Sequence, residues 1–97
     1  MEVTIRVRKE VAQFALLMEQ KLKEKDAERG ARGWKGMNPG DELADMGLAQ
    51  SAKLFVVLQD WPMSGKDLLA DKVADVANLA MMIADNAGVL PPLPKKK

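Results

Sequence analysis

Residues 69–83 read Leu69-Ala70-Asp71-Lys72-Val73-Ala74-Asp75-Val76-Ala77-Asn78-Leu79-Ala80-Met81-Met82-Ile83, and this stretch decides the fold. Leu69, Val73, Val76, Ala80 and Ile83 recur at steps of three and four, which puts them on one stripe of an α-helix. Leu79, Met81 and Met82 fall outside that stripe, so the helix is apolar almost all round. Upstream, Ser64 with Asp67 three residues on forms a pair like a capping box; downstream, Gly88 is a natural stop. Together these predict a helix over residues 64–87.

Working outward, Asp60-Trp61-Pro62-Met63 breaks the chain. Before it, Asn38 and Pro39 supply an N-cap and a first-turn proline, with Asp41 and Glu42 where the helix dipole favours anions. A second helix is predicted over 39–59, burying Leu43, Met46, Leu54, Val57 and Leu58. Residues 29–37 hold three glycines, three basic residues and Trp34, a basic loop. Val7, Val11, Phe14, Met18 and Leu22 recur at helical spacing, and Lys9, Gln13, Gln20 and Lys23 lie opposite, which predicts a first helix over 6–28. Residues 2–7 alternate and fit either a short strand or a frayed helix start. The expected fold is all-α, a small bundle of three main helices in one domain over 1–90. Residues 91–97 form an extended Pro/Lys tail. Three helices are too few to cover an all-round apolar helix 3. That helix, with helix 2, is therefore expected to bury a second face in a homo-oligomer, the alternative being a monomer with an exposed methionine patch.

Composition narrows the chemistry. The 97 residues contain neither cysteine nor histidine. This excludes disulfides, thiolate metal sites and histidine acid–base catalysis, and leaves oxygen-liganded magnesium as the expected kind of metal. The net charge of +1 is no polyanion-binding signature, and aromatics are few, so nucleic acid is a disfavoured partner. No apolar run approaches the roughly 18 residues of a membrane span. Glu2 and the mixed charges after it do not form a signal peptide, which predicts a cytoplasmic protein. Trp34, with Lys35 beside it, is a candidate for base stacking, or else a plug between helices 1 and 2. Lys21 and Lys25, one turn apart, face a phosphate or simply solvent. Asp71, Lys72, Asp75 and Asn78 lie along one side of helix 3, where the ordinary meaning is an i,i+3 ion pair on a solvated face.

The run from Ala74 to Gly88 resembles the closing helix of small phage-encoded MazG-like proteins. Phe14-Ala15-Leu16-Leu17-Met18-Glu19-Gln20-Lys21-Leu22 and Gly33-Trp34-Lys35 fit the same family in the same order. The resemblance implies an all-α nucleoside triphosphate pyrophosphohydrolase. In that family a Glu-x-x-Glu pair on one helix and a Glu-x-x-Asp pair on the next hold magnesium against the nucleotide phosphates. Asp75 matches the final Asp, but Lys72 stands at the matching Glu. The first pair falls at Gln50 and Lys53, or at Ala49 and Ala52, and no carboxylate occurs between Asp45 and Asp60. A lysine ammonium neutralises phosphate directly but cannot assemble a metal-bound water.

The resemblance and its departures lead to a catalytically inactive, MazG-like phage protein without a cofactor. It would bind or sequester a nucleotide or nucleotide-derived signal as an anti-defence protein. Trp34, Lys35, Lys53, Lys72, Asp75, Asn78, Lys21 and Lys25 are the expected ligand-binding residues. One alternative is an active magnesium-dependent pyrophosphohydrolase using Glu42, Asp45, Asp71 and Asp75. Another is a protein-interaction inhibitor of a host or defence complex, making contact through its apolar methionine face and basic tail.

Overall fold

The apolar run at residues 69–83 does form the central helix. In the computed structural model, which describes residues 7–29, 34 and 36–92, the elements are α1 (Lys9–Arg29), α2 (Glu42–Gln59) and α3 (Lys66–Ala87). Helix α3 packs against both others, whereas α1 and α2 do not pack on each other. A helix that is hydrophobic nearly all round has two faces to cover, and here each receives one neighbour. A cleft is left between α1 and α2, over α3. The radius of gyration, 15.0 Å, exceeds the about 12.5 Å of a compact chain this long, in keeping with an open arrangement. Among the described residues there is no strand, and no helix is long and apolar enough to cross a membrane.

The helix ends differ from expectation in instructive ways. Helix α2 begins at Glu42, three residues late. Asn38 organises the turn ahead of it: its Oδ1 accepts from the Gly40 and Asp41 amides at 2.7 and 3.2 Å, and Glu42 Oε1 accepts from the Asn38 amide at 3.2 Å. Ser64 does not cap α3. Its hydroxyl donates to the Val57 carbonyl at 3.1 Å, and Gly65, with φ +91°, takes the cap position. The two halves of the α2–α3 corner are thus tied by a side chain that was expected to serve the helix. Gly88 does end α3, with φ +75° and the Val89 amide returning to the Ala84 carbonyl at 3.0 Å, the six-to-one bond of a Schellman turn. Nothing lies within 4 Å of a Cβ built there, so the cost of a side chain is conformational alone. Gly88→Ala should destabilise by about 1 kcal/mol, read as a lower urea midpoint at unchanged slope.

The core is small: Leu43, Val57, Ala74 and Leu79 are its buried apolar residues. Leu79 was expected outside the α3 stripe and Ala80 within it, but Leu79 is buried and Ala80 exposed. Residues 74, 78 and 79 lie toward both neighbours, which rotates the buried sector by about one residue. Met81 and Met82 are half-buried. Apolar surface left uncovered lies on α2, which was expected to have a second face to bury, and on α1, which was not. Helix α1 exposes Val11, Phe14 and Leu16, with Val7 exposed just ahead of it, and α2 exposes Leu48, Phe55, Val56 and Leu58. The start of the first helix at residue 6, the pattern over 2–6 and the tail beyond residue 92 lie outside the described residues.

Candidate functional site

The cleft over α3 encloses a cavity of about 350 Å³, within the range of small-ligand sites. Each helix contributes positions on one face. Lys21, Leu22, Lys25 and Asp26 come from α1, Met46 and Gln50 from α2, and Asp75, Asn78, Leu79 and Met82 from α3. Trp34 and Met37 close it from the connecting loop. The loop is held by the end of α3. Asn86 Nδ2 donates to the Trp34 and Met37 carbonyls at 2.7 and 2.9 Å, and the Trp34 indole N–H donates to Asp85 Oδ2 at 3.2 Å. Trp34 is thus attached to α3 and presents its apolar body to the cavity.

One wall is an alternating charge cluster. Lys21 donates to Asp71 and stands 3.7 Å from Asp75 Oδ1; Lys72 lies 3.5 Å from Asp71 Oδ2 and 3.8 Å from Asp75 Oδ2. The Lys21 and Asp75 side chains are only 13% and 14% exposed, so solvent screens this pair less than a surface pair. Burial by itself would lower the Lys21 pKa. The hydrogen bond to Asp71 and the charges of Asp75, Asp71 and Glu24 outweigh burial and raise it above the usual lysine range. The hydrogen bond from Lys21 holds the Asp71 carboxyl below its usual range against the effect of burial, helped by the charges of Lys21 and Lys72.

Asn78 is 4% exposed. Its Nδ2 donates to the Met18 carbonyl at 3.1 Å, which ties α1 to α3 and fixes which way the amide faces. Its Oδ1 is buried without a hydrogen-bond partner among the described residues, as is Gln50 Oε1. An unmet buried acceptor costs about 1–3 kcal/mol, so such groups call for an explanation. Both belong to residues that line the same cavity. Lys25 also lines it, half-buried, with no ion-pair partner among the described residues.

Of the eight expected ligand-binding residues, the structure gathers Lys21, Lys25, Trp34, Asp75 and Asn78 around the cavity. Lys72 is engaged by Asp71 and Asp75 and does not line it; Lys53 is exposed on α2, away from it; Lys35 lies outside the described residues. Lys53, Lys72 and Asp75 therefore do not meet in one cleft, because the face of α2 that turns to the cavity carries Met46 and Gln50. Asp26, Met37 and Asn86 went unnoticed in the sequence. Nothing there marks Asn86, since its partners are main-chain carbonyls distant in sequence.

The alternative magnesium set does not assemble. Among the described residues no three carboxylates come together as metal ligands. Asp71 and Asp75 are near each other but are bridged by Lys21 and Lys72; Glu42 accepts from the Asn38 amide at the start of α2; Asp45 is exposed. Two ammonium groups against the two aspartates oppose a divalent cation, so these residues do not fit the metal. Comparison with protein families, curated proteins and solved structures found no match for this chain.

Proposed function

We propose that this chain is a small nucleotide-binding protein that holds its ligand in the cleft between α1 and α2 and does not hydrolyse it. The observation that carries this reading is the pairing, around one cavity, of Trp34 with Lys25, a half-buried cation without an ion-pair partner among the described residues. Trp34 would stack on the base, Leu79 and Met82 would exclude water, and Lys25 would meet a phosphate oxygen. Lys21 is occupied by Asp71 and Asp75 and serves to shape the wall. In this reading the chain is a MazG-like protein whose carboxylate set has been replaced by lysine-bridged aspartates. It sequesters a nucleotide or nucleotide-derived signal in the manner of a phage anti-defence protein.

Calorimetric titration with nucleoside mono- and triphosphates and cyclic oligonucleotides tests this. Binding should weaken with added salt, and Lys25→Ala should reduce affinity about tenfold, the worth of one charge-assisted hydrogen bond. Trp34→Ala should cost a similar factor, from lost stacking. No heat with any phosphate ligand would sink the reading.

A second reading is favoured by a separate observation, the apolar residues exposed on α1 and α2. Val11 and Phe14, or Phe55 and Val56, suit contact with a second copy or with a host or defence protein. Concentration-dependent sedimentation, abolished by Phe55→Lys and unaffected by Trp34→Ala, would favour it for the homo-oligomer. Capture of a host protein that survives Trp34→Ala and Lys72→Glu would favour it for an inhibitor.

A further inference from the structure

We infer that α2 pairs antiparallel with α2 of a second copy, along a seam centred on Ser51. This rests on the reading of the exposed apolar residues as a contact with a second copy, and goes beyond it by naming the face and the direction.

The seam is Ala44, Leu48, Ser51, Phe55 and Leu58. All five are exposed, Leu48, Phe55 and Leu58 at 73, 61 and 49%. They follow one another at steps of four, three, four and three, the spacing of a helix–helix seam. The buried Val57 lies two and a half turns from Leu48, on the opposite side of the helix, so the seam points away from the core. The outer face of a surface helix is ordinarily charged. Here the only charged residue from Met46 to Gln59 is Lys53, which stands off the seam. Nor does the rest of the molecule cover this face, since α1 does not pack on α2.

The order of side-chain sizes identifies the occupant. Turned antiparallel about Ser51, the seam meets itself with Ala44 against Leu58 of the second copy, Leu48 against Phe55, and Ser51 against Ser51. Each of the first two contacts occurs twice, as a two-fold interface requires. Small meets large at the ends, and a small side chain sits at the centre, where its hydroxyl can donate to its own helix four residues back. Run parallel, Phe55 would face Phe55 and Ala44 would face Ala44, which crowds one end and leaves a gap at the other. The surface agrees with this occupant. The chain exposes 7419 Å², against about 5,500 Å² for a compact monomer of 10.6 kDa. It can give up the about 800 Å² that each partner contributes to a standard interface and still exceed the monomer figure. The buried apolar set is only Leu43, Val57, Ala74 and Leu79 among the described residues. A partner adds to that core only while it is bound, and a second copy is present whenever the chain is.

The chain has no cysteine, so introduced ones report alone. Sedimentation of the full chain should give twice the 10.6 kDa mass at high concentration, and Phe55→Lys should return it to the monomer. Leu48→Ala should raise the dissociation constant about tenfold or more, while costing little in dilute solution, where the side chain is exposed. Under mild oxidation Ser51→Cys should cross-link to itself; it exchanges oxygen for sulfur at an exposed position, so its folding is not at issue. Leu48→Cys and Phe55→Cys should cross-link when mixed but not singly. In the antiparallel pair each lies about 9–12 Å along the axis from its own equivalent, beyond the about 7 Å that a disulfide spans. A monomer at every concentration would overturn the inference and the self-association on which it rests. A dimer in which Leu48→Cys cross-links to itself, or in which none of the three cross-links, would overturn the inference alone and leave self-association to another face.

Discussion

Leu43→Ala is expected to destabilise the protein by about 2–5 kcal/mol, the range for deleting a buried leucine that leaves a cavity. Leu43 is the one large side chain with no exposure among the described residues. It sits in the first turn of α2, where its amide donates to the Asn38 carbonyl at 3.1 Å. The side chain thus locks α2 to the rest of the molecule at the point where the chain enters the helix. Few other residues share this duty, since Val57, Ala74 and Leu79 complete the buried apolar set. A chain this short has about 5–15 kcal/mol of stability in all, so the loss is a large fraction of it. The melting midpoint should fall by about 10 °C or more. Leu48→Ala removes the same atoms from a side chain that is 73% exposed, and should shift stability by no more than about 0.5 kcal/mol. Similar losses in the two variants, by chemical denaturation, would contradict the placement of the core.

The contrast between Leu43 and Leu48 marks where the sequence is legible. Helical period, chain breaks and Gly88 are local signals, and three helices follow from them. Local signals also mislead at helix starts. Ser64 is a good capping residue by type, yet its hydroxyl meets the Val57 carbonyl across the corner, because a glycine follows that can take a positive φ. Which side of α3 is buried depends on two neighbours at once. Apolar spacing favoured Ala80 over Leu79 because a stripe assumes one partner surface, while α3 has one on each side.

The same limit applies to the site. Lys21, Lys25, Trp34, Asp75 and Asn78 stand out as residue types suited to a phosphate-bearing ligand, and the fold brings them to one cavity. Lys53 does not join them because the rotation of α2, set by Leu43 and Val57, turns Gln50 inward in its place. Lys72 suggests a cation facing a ligand when Asp75 alone is considered beside it. The structure adds Lys21 from α1, fifty residues away in sequence from Asp71, and the four charges satisfy one another. Pairings of that range leave no periodic trace in a single chain.

Replacing Lys21 with methionine tests that cluster, and Lys21→Met is expected to destabilise by about 1–3 kcal/mol at neutral pH. Methionine keeps most of the apolar stem, so the loss reports the ammonium. Removing one partner of a fully buried pair costs about 3–5 kcal/mol, and the figure is reduced here because Asp71 is 38% exposed and Lys72 remains to serve both carboxylates. The pH dependence identifies the cause. Asp71 has its pKa lowered in the folded chain, so its contribution is present above the ordinary aspartate range and is lost as the pH falls through the depressed value. Lys21 has its pKa raised, so its contribution is present below the ordinary lysine range and is lost as the pH rises through the elevated value. The stability difference between wild type and Lys21→Met should therefore form a plateau between those two ranges and shrink at both ends. Asp71→Asn should be less costly than Lys21→Met, because Asp75 still holds the ammonium. The double variant should be less destabilised than the sum of the singles, since with Asp71 neutral there is one fewer carboxylate to strand. A difference that stays constant down to strongly acid pH would mean that lost packing of the Lys21 stem, and not the charge cluster, holds α1 against α3.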